Sequence, residues 1–318
     1  MSNFIGKSTS GVLDPETQGK QIIDGVAGES VVLRAFTRLP DMANSQHSIP
    51  VSTQLAQAKF VNGEGGKKSN SIAKWGKETI TAEEIAVIVP ISEQIIADTQ
   101  YDIFGQIEKQ VVEAFGAVID NAVLYGIDKP TSWGAGIITT AKAKDKKVTA
   151  SNDLYQDIMG ENGLIAKVEE SGFFVDGFYS KIGARGKLRG LVDTNKQPIF
   201  VQDMKNSSSP YALDGSPLYF NRNGAELGKG TNKDIMLAGD FKQAVYAVRQ
   251  DITWQLFDNG VLTDEDGKIV LNALEQDMVF LRFTMRLGWA LPNPVTRHDS
   301  SDNRYPFAVL TGGSVPSV

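Results

Sequence analysis

The chain contains no cysteine, which excludes a disulfide framework, a thiolate nucleophile and any cysteine-ligated metal. It has two histidines, His47 and His298, so a histidine-rich metal centre is excluded as well. No apolar run approaches the roughly 20 residues that a membrane-spanning helix needs. The N-terminal residues lack the apolar core of a secretory signal. Positive charge is in deficit: 32 Lys and Arg against 38 Asp and Glu leave a formal charge of −6, which disfavours tight nonspecific binding to DNA. The signatures of catalysis are missing too, with neither a GxSxG elbow nor an HExxH helix. Gly6-Lys7-Ser8 ends like a phosphate loop, but Met1 stands where the first glycine of that loop belongs. Gly63-Glu64-Gly65-Gly66 lacks GxGxxG spacing and a following helix, and reads as a hairpin tip. Asp264-Glu265-Asp266-Gly267 lacks the distal ligands of a calcium loop and reads as a turn with solvated charges. The expectation is a chain with no catalytic residues, no cofactor and no metal.

What is present is a long helical stretch within residues 87–138. Phe104, Ile107, Val111, Phe115, Val118 and Ala122 fall three or four apart, on one helix face. Val112, Ile119 and Val123 widen that stripe, so the face is expected to pack against something broad. Ser92, just after Pro90, is a candidate N-cap, and Thr99 with Asp102 resembles a capping box. The helix is therefore expected to start at Ser92, break near Thr99 and restart. Gly126 is the natural C-cap, and Pro130 prevents continuation. From Thr99 to Tyr125 such a rod would be roughly 40 Å long.

Around this rod the chain is α+β, with helices and strands in separate blocks. Residues 1–28 are polar and rich in Gly and Ser, and read as an extended arm. Residues 30–38 read as a short helix or strand, and 47–53 as a strand. Residues 58–81 have short apolar patches flanking a Gly/Ser/Asn/Lys tip, the pattern of a protruding β-hairpin. A buried strand is expected at 83–90. Residues 134–148 read as a loop with a basic tip at Lys142, Lys144, Lys146 and Lys147. A helix is expected over 152–171, capped by Asn152 or Asp153. Strands follow at 173–180, 234–239, 242–249 and 253–258. In the last strand, 278–291, Val279, Leu281, Phe283, Met285 and Leu287 share one face, and Arg282, Thr284, Arg286 and Gly288 the other.

The order of these features resembles the major capsid proteins of tailed bacteriophages with the HK97-type fold. Ile91-Ser92-Glu93-Gln94 followed by Ala97-Asp98-Thr99 is similar to that family's lead-in to its spine helix. Residues 121–126 with Trp133-Gly134-Ala135-Gly136-Ile137 resemble the spine exit. Gly239-Asp240-Phe241-Lys242-Gln243-Ala244, with Arg249 and Asp251-Ile252, resembles a further family segment. Phe280-Leu281-Arg282-Phe283 with Arg286-Leu287-Gly288 resembles its long back strand. The run from Lys59 to Glu64 resembles the start of its extended loop.

The resemblance implies an α+β HK97-like capsid fold with an N-arm at 1–28 and an extended E-loop hairpin at 58–81. A P-domain would comprise 29–57, 82–129 and 240–297, with the spine at about 92–126. An A-domain would span 130–239, and it leaves 298–318 unassigned. It implies a subunit that assembles with itself into hexamers and pentamers of an icosahedral shell, formed in the host cytoplasm and carried in the virion. That shell encloses double-stranded DNA without sequence-specific binding, and the subunit has no membrane partner. An encapsulin-like nanocompartment shell uses the same fold and is the alternative. A portal is implied as a partner. The chain reaches Ser30 with no heptad or charged helix, so any scaffolding protein is expected to be separate.

The residues expected at assembly interfaces are Lys59, Glu64, Lys67, Lys68, Lys74, Trp75 and Lys77 on the hairpin, with Arg249, Arg282 and Arg286 on the back strands. The lysines would face a neighbour's spine, which carries Glu93, Asp98, Asp102, Glu108, Glu113 and Asp120. Some members weld their shells through a Lys–Asn isopeptide bond assisted by a Glu. The matching positions here are Asp277 and Thr284, so the resemblance implies a noncovalent shell.

Overall fold

The structure, a computed structural model, describes residues 25–26, 28–61, 66–98, 103–151, 153–190, 212–221, 234–264, 266–298 and 301–312. Residues 1–24 and 27 of the N-arm, Thr99, Asp102 and Glu64 therefore lie outside the described residues. In chain order the elements begin with α1 (Val31–Ala35), β1 (Thr37–Arg38), β2 (Gln46–Gln54), β3 (Lys74–Thr81) and β4 (Glu83–Ser92). The spine follows as α2 (Glu93–Asp98), α3 (Ile103–Asp120) and a π-helical turn, Asn121–Tyr125. Next come α4 (Ile137–Ala143), β5 (Lys147–Thr149), α5 (Leu154–Met159), α6 (Leu164–Glu169), β6 (Gly177–Lys181), α7 (Ala184–Arg189), β7 (Ala212–Leu213) and β8 (Ser216–Asn221). The last elements are β9 (Asp234–Gly239), β10 (Val245–Phe257), β11 (Val261–Thr263), β12 (Ile269–Asn272), α8 (Ala273–Gln276), β13 (Met278–Ala290) and β14 (Phe307–Thr311).

A four-stranded sheet, ordered β1-β10-β13-β4, carries the spine on one face. The strand alternation reads through: Val279, Leu281, Phe283, Met285 and Leu287 are all buried. Leu281, Phe283, Met285 and Leu287 meet Ile107, Val111, Phe115 and Ile119 of α3 in one core, with Ile85, Val87 and Val89 of β4 packed beside them. Two residues of the expected stripe are exposed, Phe104 at 40 % and Val118 at 44 %, and Val112 is half-buried. The buried positions follow a row four residues apart, and each such step advances about 40° around a helix. The contact line therefore winds past Val118 onto Ile119, and Phe104 lies off it at the other end. The strand β4 runs on to Ser92, so the spine begins at Glu93. It ends at Gly126, whose φ of 70° is left-handed, as the expected C-cap requires.

A six-stranded mixed sheet, ordered β5-β14-β9-β6-β8-β7, makes the second layer system. Alternate residues of its central strands enter different cores. Tyr179, Leu237, Phe307 and Val309 join the spine core, where Ile137, Ile138 and Ala141 of α4 also sit. Phe178, Met236, Ala238, Ala308 and Leu310 pack with Leu164, Ile165 and Val168 of α6. The C-terminal strand β14 thus belongs to this sheet.

The expected loop at 134–148 is instead α4 followed by β5. Two of its lysines turn inward: Lys142 Nζ donates to the fully buried Asp234 at 2.8 Å, and Lys146 lies 3.7 Å from Glu170, while Lys147 is exposed. The expected helix at 152–171 splits into α5 and α6, separated by residues that include Gly160 and Gly163. Asp153 does cap α5, accepting from the amides of Tyr155 and Gln156. The expected separate strands at 242–249 and 253–258 are one strand, β10, with register irregularities between Val248 and Thr253.

Candidate functional site

The hairpin forms a two-stranded sheet of its own, as β11 and β12 do. Its arm β3 pairs antiparallel with β2, from Gln46↔Thr81 to Gln54↔Lys74, so the paired arms reach back to Gln46. Alternation gives it two unlike faces. Ile80 and Val51 are buried on one, where Ile80 joins Met42, Ala82, Ala247 and Ala290. The other presents Trp75 and Lys77 opposite Ser52 and Pro50, all partly or fully exposed.

The hairpin is fastened to the body at both ends. At the base, β3 crosses β13 over Gly288, where any Cβ would run into Thr81 O and Ile80. Trp133 Nε1 donates to Thr81 O at 3.0 Å, and Ser132 Oγ to Glu83 at 2.6 Å. Near the loop, Val295 N donates to Ser52 O at 3.1 Å and Arg297 to Ala56 O at 3.2 Å. An open polar cleft of about 570 Å³ lies there, lined by Thr53, Gln57, Asn70, Ser71, Thr296 and Arg297 among others. Among the described residues that line it there is no carboxylate or imidazole to act as a base. Among the described residues no group of three His, Asp or Glu is placed to hold a metal.

Lys59, Lys67, Lys68, Lys74 and Lys77 are all exposed, and none forms an ion pair among the described residues. Trp75 is 70 % exposed, Ile72 57 %, and Phe60 completely so. Loss of solvation pushes the Glu78 carboxyl above the usual range.

The back-strand arginines are placed differently from the hairpin lysines. Arg249 is exposed but donates to Met42 O at 2.9 Å. Arg282 donates to Gln255 at 2.6 Å, and its guanidinium lies 4.8 Å from the Phe257 ring centroid. Arg286 is half-buried, in register with Glu84 and Gln250. These three therefore lie on the four-stranded sheet, and Arg249 and Arg282 already serve contacts within the chain.

Of the expected acidic spine, Glu93 and Glu113 are exposed and Glu108 is half-buried. Asp120 departs from the expectation, because it is fully buried. It accepts from Ser30 Oγ at 2.6 Å and from the amides of Val31 and Val32 at 3.1 Å. A carboxylate at the first turn of α1 satisfies amides that have no partner inside the helix. This residue fixes the point where the chain leaves the N-arm, a role that no local pattern around Asp120 announces.

With this geometry in place, comparison with known proteins supplies the family. The phage capsid family model matches residues 10–295. The chain belongs to the phage capsid family. This capsid chain is 31 % identical over 231 residues to the major capsid protein of Staphylococcus phage 80alpha, covering 71 % of this chain and 66 % of that protein, just under two thirds of its length. A solved chain from Microbacterium phage Oxtober96 is 30 % identical with a TM-score of 0.74, over 90 % of this chain and 91 % of that one. One from Mycobacterium phage Adephagia is 26 % identical with a TM-score of 0.76, over 99 % of this chain and all of that one. The capsid fold of this chain is thus the HK97-like α+β fold.

Proposed function

We propose that this capsid-family chain is the major shell subunit, forming hexamers and pentamers of an icosahedral virion shell that encloses phage double-stranded DNA. The observation that carries the reading is the family match over residues 10–295, together with a hairpin whose outward face is left exposed among the described residues. On this reading the hairpin lies across a neighbouring copy, with the lysines of residues 59–77 opposite that copy's acidic spine. Assembly takes place in the bacterial cytoplasm, with a portal and a separate scaffolding protein as partners. The role of the subunit is structural rather than catalytic. The phage proteins it resembles favour a genome shell over an enzyme-holding compartment.

Negative-stain microscopy of the expressed chain tests this. Closed shells or hexameric and pentameric rings are expected. Deleting residues 63–71 should leave soluble capsomers or monomers. Normal closed shells from that deletion would remove the hairpin from the assembly reading, and a chain that stays monomeric under every condition would end the reading itself.

A further inference from the structure

The bare face of the hairpin carries both charge and apolar area, and the two make different demands on whatever covers it. Between residues 59 and 77 five lysines face one acid, a net +4, which leaves −10 on the rest of a chain whose total is −6. A second copy of this chain therefore attracts the hairpin as a whole. That attraction is between exposed groups, and exposed ion pairs are weak and screened by salt. The aromatic side chains are different in kind. Trp75 stands on the outward face beside Lys77 and Pro50, and Phe60 and Ile72 flank the loop beyond it. Each aromatic ring can bury roughly 150–250 Å². Aromatic anchors surrounded by weak polar contacts are the usual centres of protein interfaces.

The opposite face of the same hairpin shows that this exposure is selective. Ile80 is completely buried in the chain's own core with Ile49 packed beside it, and Val51 on the same face is nearly buried. A two-stranded hairpin is marginal in water without a covered face. Here the chain covers one face itself and leaves the tryptophan on the other.

Resting on the reading of this chain as a shell subunit, we propose that Trp75, assisted by Phe60 and Ile72, is the anchor by which the hairpin docks on a second copy, while the lysines guide the approach. Docking then removes the Trp75 indole from water, and the bound state depends little on salt.

The four tryptophans make this measurable. Trp133 and Trp289 are buried within the chain, and Trp254 is 40 % exposed. In a Trp254→Phe background, the change in emission on assembly therefore reports Trp75. Emission should shift to shorter wavelength and lose most of its quenching by acrylamide when shells form, at both low and high salt. Trp75→Ser combined with Phe60→Ser should raise the concentration needed for assembly at least about tenfold, or about 1.4 kcal/mol. Both side chains are exposed, so the monomer's melting curve should not move. Replacing Lys67, Lys68, Lys74 and Lys77 by Gln should slow assembly at low salt and leave the assembled shell intact. Shells in which Trp75 stays open to quencher, or a serine variant that assembles normally, would overturn the anchor while leaving the shell reading standing. A wild-type chain that never assembles would overturn both.

Discussion

In the six-stranded sheet β9 is buried at all six positions, whereas β13 of the four-stranded sheet keeps Arg282, Thr284 and Arg286 half-exposed. The difference follows from what covers each sheet. Both faces of β9 meet cores built by this chain, Leu237 toward the spine and Met236 and Ala238 toward α6. Only one face of β13 meets the spine. The other shows arginine, threonine and glutamine, with Ile88 of the edge strand 43 % exposed beside them. A sheet finished on both sides answers to folding alone. A sheet finished on one side leaves a surface on which other copies can act, and substitutions in the two should separate accordingly.

The largest effect is expected in the finished sheet. Phe307 is completely buried, its ring centroid 5.2 Å from that of Phe241 and edge-on to it, and Gly239 gives it room. Phe307→Ala should cost about 3–5 kcal/mol, read as a lower Tm of the isolated subunit. Ile88→Ala on the open face should cost less than about 1 kcal/mol. Equal losses at both positions would erase the distinction. A somewhat smaller effect is expected where α1 joins the spine. Asp120→Ala strands the Ser30 hydroxyl and two buried amides, at about 2–4 kcal/mol by denaturant unfolding. Asp120→Asn should recover part of this, because its carbonyl oxygen can still accept.

The same contrast explains which parts were legible in the sequence. The face of β13 was readable because burial on one side writes an alternation, from Val279 to Leu287. The spine was readable from its four-residue rows and from Gly126. The finished sheet was harder. Its strands are buried on both faces, so β9 and β14 show no alternation, and a short apolar run does not declare its partners. Helix α4 was missed because Thr139, Thr140 and Lys142 dilute a seven-residue segment that is held by Ile137, Ile138 and Ala141. The hairpin was legible at its tip but not in its full length. Its second arm lies 19 residues upstream, and pairing is a relation between segments rather than a property of either. The apolar content of its bare face was in view as Phe60, Ile72 and Trp75. The sequence alone does not say that β2 would leave them uncovered.

A further difference between the sheets should appear as a dependence on pH. Asp176 precedes β6, where burial pushes its carboxyl above the ordinary aspartate range and the nearby Asp240 adds to this, while the Phe241 amide and Lys242, 3.7 Å away, pull it only partly back. In the window just above the ordinary value of about 4, the folded state holds a proton that the unfolded chain has lost. Stability contributed there falls as pH rises through the window, so Asp176 favours the fold in acid and opposes it at neutral pH. Asp176→Asn keeps an acceptor for Phe241 N, which lies 2.7 Å away, and removes the titration. The variant should show a flatter Tm profile across the acid range and a small gain at pH 7. Parallel profiles for the two proteins would assign the acid dependence to other carboxylates.

The smallest expected effect is none, and it falls on the open sheet. Where a capsid shell is welded, a lysine attacks a carboxamide and a shielded carboxylate accepts the proton that the lysine must lose. The positions matching the acyl donor and the base here are Asp277 and Thr284. Asp277 sits exposed in the left-handed region, with φ 50° and ψ 53°, at the end of α8. A carboxylate is a poor electrophile beside a carboxamide, and it has no ammonia to release. Thr284 shares a hydrogen bond of 2.9 Å with Thr253, and its hydroxyl cannot take up a proton at neutral pH. Both partners of the reaction are therefore wanting, although exposed lysines are plentiful on the hairpin. Assembled particles boiled in detergent should run as a single band at 34.5 kDa. Asp277→Asn alone should leave that band unchanged, because the base would still be absent. A ladder of covalent pentamers and hexamers from the wild-type chain would mean that residues other than these supply the chemistry, and that the open sheet is finished by bonds rather than by contacts.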